Sequence, residues 1–168
     1  MSLKELTSDL HRKAEKMPFN QKMFRGELSS EEYLKYLHQQ YHIFKAIEYY
    51  KLPNDSLKRL EYVLNDIEEL GTFKFDSILE STKKYVNHLL ELNQENILPH
   101  VYLNYLALLF GGQMIKSKVP GEGKMYHFEN MNDCVKSIRE LQKDEWSNDV
   151  NKGFQFIINI LDELQENT

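Results

Sequence analysis

His11 and Glu15 stand four residues apart near the start of this chain, a spacing that puts an imidazole and a carboxylate on one face of a helix. An imidazole that ligates a metal through one nitrogen commonly gives its other N–H to a carboxylate, which fixes the tautomer and raises basicity. The same pair also suits a purely structural histidine. Lys4, seven residues before His11, falls on nearly the same face, where its ammonium can meet an acidic group of a ligand. A second feature is Gly111-Gly112 inside a strongly apolar run, where each glycine costs a helix about 1 kcal/mol relative to alanine. Glycines let backbone lie against a flat ligand and let a helix bend; they equally serve close helix packing or a helix end. Ala107, four residues earlier, extends the smooth face by a turn.

Helices must position these residues. Ser2-Leu-Lys-Glu5 has capping-box spacing, and Leu3, Leu6, Leu10 and Ala14 follow near helical intervals until Pro18. A second box, Ser29-Ser-Glu-Glu32, opens a helix carrying Tyr33, Leu34, Leu37, Tyr41, Phe44 and Ile47, which closes at Leu52-Pro53. Asp55 or Ser56 can cap a third with Leu57, Leu60, Val63, Leu64 and Ile67, stopped by Gly71. A fourth covers roughly Asp76 to Leu92. Pro99 suits the first turn of a fifth, apolar nearly all round and running through Gly111-Gly112 to Ile115. Val119-Pro-Gly-Glu-Gly123 breaks the chain, and Met131 to Glu145 and Ser147 to Gln165 read as two more amphipathic helices. No alternating segment competes as a strand. The expectation is an all-α, single-domain helical bundle of about seven helices, with no linker or repeat dividing residues 1–168.

Composition narrows the function. With 168 residues, 41% hydrophobic and 28% charged, the chain can bury a core unaided. Cys134 is the only cysteine, which excludes an internal disulfide and a cysteine-based zinc or iron–sulfur site. Redox chemistry would need a borrowed cofactor. Net charge is −5, with +3 concentrated in residues 1–25, so the first helix is the basic end of an acidic protein. That distribution offers no broad face for nucleic acid and suits a small anionic ligand better, although a solvated basic face without function has the same appearance. No stretch approaches the roughly 20 apolar residues of a membrane span, and the N-terminus lacks an apolar signal core. A soluble, cytoplasmic protein is expected.

Four segments carry a family resemblance. Leu3-Lys-Glu-Leu-Thr-Ser-Asp-Leu-His11-Arg-Lys-Ala-Glu15 resembles the first helix of haem (heme) oxygenases, where a His followed at four residues by Glu supplies the proximal iron ligand and its support. Tyr41-His-Ile-Phe-Lys-Ala-Ile-Glu48 resembles their second helix, and Tyr102-Leu-Asn-Tyr-Leu-Ala-Leu-Leu-Phe-Gly-Gly-Gln-Met-Ile115 their distal helix. Gly153-Phe-Gln-Phe-Ile-Ile-Asn-Ile-Leu-Asp-Glu-Leu-Gln165 is similar to their last. Coverage runs nearly end to end; residues 53 to 98 are shorter than the family's middle section.

The resemblance implies O2- and reductant-dependent cleavage of haem to biliverdin, carbon monoxide and ferrous iron, with haem as both substrate and cofactor. His11 is then the iron ligand and, with Gly111, a catalytic residue; Glu15 orients His11. Lys4 and Arg139 pair with the haem propionates, Tyr102 helps hold that edge, and Ala107, Leu108, Gly111 and Gly112 belong to the distal wall. One departure is Leu108, where many relatives carry an acidic residue, and plant-type ones a His, that orders water near oxygen. Leucine cannot do so. Backbone carbonyls freed near Gly111 and Gly112 would hold water in its place, with Asn104 contributing from one turn earlier. The chain has no flavin or nicotinamide fingerprint, so electrons are expected from ferredoxin or another reductase, and a bilin reductase is a natural downstream partner. The alternative is a non-catalytic haem-binding or haem-sequestering protein of the same fold.

Overall fold

The computed structural model describes residues 1–71 and 77–167. The chain begins with α1 (Leu3–Leu6), whose N-cap Ser2 accepts the Glu5 N–H. Thr7 then takes φ −110°, ψ 1° and its buried hydroxyl donates to the Leu3 carbonyl, so α2 (Ser8–Glu15) starts on a new axis. Pro18 opens α3 (Pro18–Phe24), a helix the sequence reading did not separate. The Ser29/Glu32 capping box is fully formed at the head of α4 (Ser30–Ile47). The third expected helix is a 3₁₀ turn, Asp55–Leu57, followed by α5 (Leu60–Leu70), which ends at Gly71. Next comes α6 (Glu80–Leu90); its expected start, Asp76, lies outside the described residues.

The apolar fifth helix is two pieces, α7 (Leu98–Leu109) and α8 (Gly111–Ile115), divided where Phe110 adopts φ −108°, ψ −82°. After a 3₁₀ turn at Lys124–Tyr126, α9 (Met131–Arg139) stops short of the expected Glu145, and α10 (Ser147–Glu166) closes the fold. The described residues therefore form an all-helical bundle with more helices than the seven or so anticipated. Local breaks at Thr7, Pro18 and Phe110, invisible to apolar periodicity, account for the difference.

α10 is the element on which the others converge: it packs against α2, α3, α6 and α7, while α4 covers α5 and α6. One buried cluster joins Tyr33, Leu37, Phe44, Val63, Tyr105 and Leu161 in the main core. A second joins Leu3, Ala14, Leu103, Trp146, Val150 and Phe154, and so ties α1, α2, α7 and α10 together at the end of the bundle that bears His11. Gly153 makes the α7–α10 contact possible, since a Cβ there would stand 2.5 Å from Leu103 Cδ2 and 3.1 Å from His100 Nδ1.

Buried charge is spent on holding backbone. Arg59 lies between the rings of Tyr62 and Phe128 and donates to the carbonyls of Ser56, Leu57, Met125 and His127. Asp66 accepts the N–H groups of Lys124 (2.9 Å) and Met125 (2.8 Å); burial raises its carboxyl, and these bonds oppose the rise. Glu48 accepts from Arg59 N and the Tyr105 hydroxyl, both at 2.8 Å. Together they clamp the 124–128 loop against α5 and α7.

Two stability tests follow from these contacts. Gly153→Ala forces a methyl into Leu103 and is expected to destabilise by about 1–3 kcal/mol, read as a lowered Tm. His100, 1% exposed and bonded at Nδ1 to the Tyr85 hydroxyl (2.8 Å), has its pKa lowered from 6.5 to about 3 by burial and then by His88 and Lys152. Below pH 6.5 the unfolded chain takes up a proton that the folded chain refuses. Stability is therefore fully present above pH 6.5 and falls as pH drops from there toward 3, by at most about 1.4 kcal/mol per pH unit from this group. A series of melts between pH 7 and 4.5 should show that slope, and His100→Asn should flatten it.

Candidate functional site

The α1–α2 segment that carries His11 is secured at both ends. Asp144 Oδ1 accepts the Leu3 N–H (2.8 Å) and Asn151 Nδ2 donates to the Leu6 carbonyl (3.2 Å), which fastens α1 to the start of α10. At the far end Asn20 Nδ2 donates to the Ala14 carbonyl (3.0 Å), which also accepts the Met17 N–H, and Gln21 Nε2 donates to the Glu15 carbonyl (2.7 Å). Ala14 is buried in the core, and His11, one turn before it, is 56% exposed at the edge of that packing. His11 Nε2 meets Glu15 Oε1 at 2.8 Å, the contact anticipated from the spacing. That leaves Nδ1 as the second ring nitrogen. The ring stacks on Phe154 of α10, with centroids 5.4 Å apart and planes within 20°. Nothing in the spacing of α2 pointed to Phe154; the only signal was its place beside Gly153 in the last helix. Lys4 is exposed on α1.

The distal segment divides its residues by face. Ala107 is exposed, whereas Leu108 is buried in the main core, so its side chain points away from Ala107's open surface. Gly111 and Gly112 differ in the same way. A Cβ at Gly111 would meet nothing within 4 Å, but one at Gly112 would stand 2.5 Å from the Tyr126 ring. Gly111 leaves an open surface, and Gly112 admits an aromatic ring to the back of the bend. Beside these glycines the Leu108 carbonyl accepts from Gln113 Nε2 at 3.0 Å. Asn104 donates to the Tyr85 hydroxyl (3.0 Å) and to the His100 carbonyl (2.9 Å).

At the rim, Phe110 and Met114 expose 49% and 73% of their surface. Arg139 places its guanidinium 5.5 Å from the centre of the Phe110 ring and donates to Gln142 Oε1 at 2.7 Å. Tyr102 is half-buried, edge-on to Trp146 with centroids 6.2 Å apart. Tyr102 and Leu10 both pack on the cluster that holds Phe154, so α2 and α7 flank α10 at one end of the molecule. A groove of about 450 Å³ lined by Asp9, Arg12, Lys13, Lys16 and Met17 runs along the neighbouring face of α2, and the three cations make it basic.

Comparison with known proteins accords with this arrangement. The family model described as Heme oxygenase matches residues 1–152. The chain belongs to the haem oxygenase family. Among curated relatives of this haem oxygenase family member, "Heme oxygenase" of Guillardia theta is 31% identical over 134 residues, which cover 69% of this chain and 56% of the relative. "Heme oxygenase 1" of Bos taurus is 26% identical over 133 residues, covering 68% of this chain and 46% of that one. The chain thus spans about half the length of the curated relatives it matches. Its fold is that of the cyanobacterial heme oxygenase-1 from Synechocystis sp. solved in complex with heme, with a TM-score of 0.84 at 18% identity over 98% of this chain and 91% of that one. Heme oxygenase from Leptospira interrogans has the same fold, with a TM-score of 0.82 at 23% identity over 97% and 100% of the two chains.

The two glycines should respond in opposite ways to alanine. Gly111→Ala adds a good helix former into open space and should raise stability by up to about 1 kcal/mol, whereas Gly112→Ala collides with Tyr126 and should lower it by about 1–3 kcal/mol. Chemical denaturation of both variants against the wild-type chain checks the sign of each change.

Proposed function

We propose that this chain is a haem oxygenase over residues 1–168, binding haem through His11 and, with dioxygen and external electrons, opening it to biliverdin, carbon monoxide and ferrous iron. The observation that carries the reading is the exposed His11 imidazole, held by Glu15 and seated on Phe154, in a chain of this family. The residues fit the group. A neutral imidazole with a carboxylate behind it suits haem iron, and the bare surface at Ala107 and Gly111 admits a flat ring system. Haem, once bound, supplies the redox and oxygen chemistry, while protein groups orient it and control access.

Each side chain then has a definite task. His11 ligates iron, and Glu15 fixes the ring's orientation by accepting its other N–H. Lys4 and Arg139 neutralise the propionates, with Tyr102 at the same edge; Arg139 must leave the Phe110 ring and Gln142 to do so. Ala107, Gly111 and the backbone at Gly112 form the wall opposite His11. Leu108 contributes only bulk from behind that wall, so any proton reaching the distal side travels by solvent or by groups other than residue 108. The relatives solved with heme in place share this fold, which supports the same ligand here. Electrons come from ferredoxin or a flavoprotein reductase, the cationic end of the molecule suits an acidic donor, and a bilin reductase would take the product. The working location is the cytoplasm; no described helix is long and apolar enough to cross a membrane.

A second reading, a haem carrier without turnover, is favoured by one observation: the apolar Leu108 stands where many relatives place a polar residue. Haem titration followed by reductant in air separates the two. The expected result is one haem per chain with a histidine-ligated spectrum, then bilin absorption. Stable haem without bilin would select the carrier. His11→Ala should abolish the axial-ligand signature, and Glu15→Gln should weaken haem affinity by roughly tenfold or more. An unchanged spectrum in His11→Ala would remove His11 as the ligand.

A further inference from the structure

The break at Phe110 creates an accounting problem. In an unbroken α-helix the Leu108 carbonyl would accept the N–H of Gly112. The turn at Phe110 diverts that donor, leaving a carbonyl at a buried residue with no partner from the helix. Gln113 solves this from one turn later. Its side-chain amide has two hydrogens, and Nε2 lies 3.0 Å from the Leu108 carbonyl and 2.7 Å from the Tyr126 carbonyl.

The second acceptor links the bend to the rest of the core. Tyr126 stands between Met125 and His127, whose carbonyls are both taken by the Arg59 guanidinium. Three successive carbonyls of one loop are therefore held by two side chains, Arg59 on one side and Gln113 on the other. The Asp66 carboxylate grips the N–H groups of Lys124 and Met125 just before them. The loop cannot shift without breaking charge-assisted bonds, and its Tyr126 ring fills the space that Gly112 leaves. Gln113 thus transmits a fixed position from the Arg59 and Asp66 clamp to the helix bend, and through it to the Ala107 and Gly111 surface.

We propose that Gln113 is a positioning residue of the distal wall: by bridging the Leu108 and Tyr126 carbonyls it sets the bend at Phe110 and hence the clearance above Ala107 and Gly111. The proposal rests on the haem reading for the identity of what lies above that surface. Gln113 does not itself touch the ligand. Its contribution is to prevent α8 from straightening or splaying, either of which would tilt the wall and loosen a planar group held against it.

The test compares wild type with Gln113→Met, which keeps length but has no donor, and with Gln113→Glu, which keeps shape. In ligand-free protein, hydrogen exchange is followed at the amides of residues 109–113. Gln113→Met should lose about tenfold or more of the protection there, as expected for one or two lost hydrogen bonds. Gln113→Glu should match it at pH 7.5, where the carboxylate cannot donate, and recover part of the protection at pH 5, where the acid form can. In the ferrous carbonyl complex both variants should shift the Fe–CO stretching frequency at pH 7.5 and release haem faster to apomyoglobin. Wild-type protection and an unchanged Fe–CO frequency in Gln113→Met would overturn the proposal, as would lost protection with no change in either haem readout. If wild type binds no haem, the functional reading fails and the proposed distal-wall role falls with it; exchange in ligand-free protein still decides whether Gln113 holds the bend.

Discussion

The close approach of α10 to α7 at Gly153 organises the end of the molecule that bears His11: a Cβ there would stand 2.5 Å from Leu103 Cδ2 and 3.1 Å from His100 Nδ1. With Leu103 and His100 seated against Gly153, α10 presents Phe154 to α2, and the ring becomes the floor on which His11 stacks. The same cluster draws in Leu3 and Ala14, so the helix bearing the candidate ligand is positioned by packing against α10 and is only trimmed by its terminal hydrogen bonds. An imidazole more than half exposed can still be held well, because one nitrogen is tied to Glu15 and one face rests on an aromatic ring.

The distal side is organised on a different principle. There the chain breaks a helix inside the fold, and the polar groups set free must find partners. Gln113 takes one freed carbonyl, and Arg59 and Asp66, ionisable groups whose burial is unfavourable on its own, hold the loop behind it. Charge in this protein is thus used twice: as a basic solvent-facing groove along α2, and as buried clamps that restrain loop backbone 58 to 68 residues away in sequence. The two candidate segments accordingly have unlike mechanics: an exposed imidazole on a packed helix, and a bend held by hydrogen bonds.

These differences bear on tuning. Leu108 belongs to the core and its carbonyl to Gln113, so residue 108 offers neither side chain nor backbone to solvent on the distal surface. One turn before Leu108, Asn104 donates to the Tyr85 hydroxyl of α6 and to the His100 carbonyl, and burial lowers the pKa of the His100 ring that bonds the same hydroxyl.

Much of this was legible in the chain itself. The cap at Ser2, the capping box at Ser29, Pro99 in a first helical turn and the 3.6-residue apolar rhythm mark most helix starts and leave no competing strand, because these are local effects of backbone hydrogen bonding and side-chain shape. The His11–Glu15 pair is equally local, since four residues make one helical turn. What only tertiary structure decided is which side of each helix faces what. Gly111 and Gly112 are chemically identical neighbours, yet one looks onto open space and the other onto Tyr126. Ala107 and Leu108 are likewise separated into surface and core. Phe154, Gln113 and Arg59 acquire their roles from partners 5 to 143 positions away. Contacts of that kind depend on how α10 and the 124–128 loop pack, and no spacing rule along a single helix encodes them.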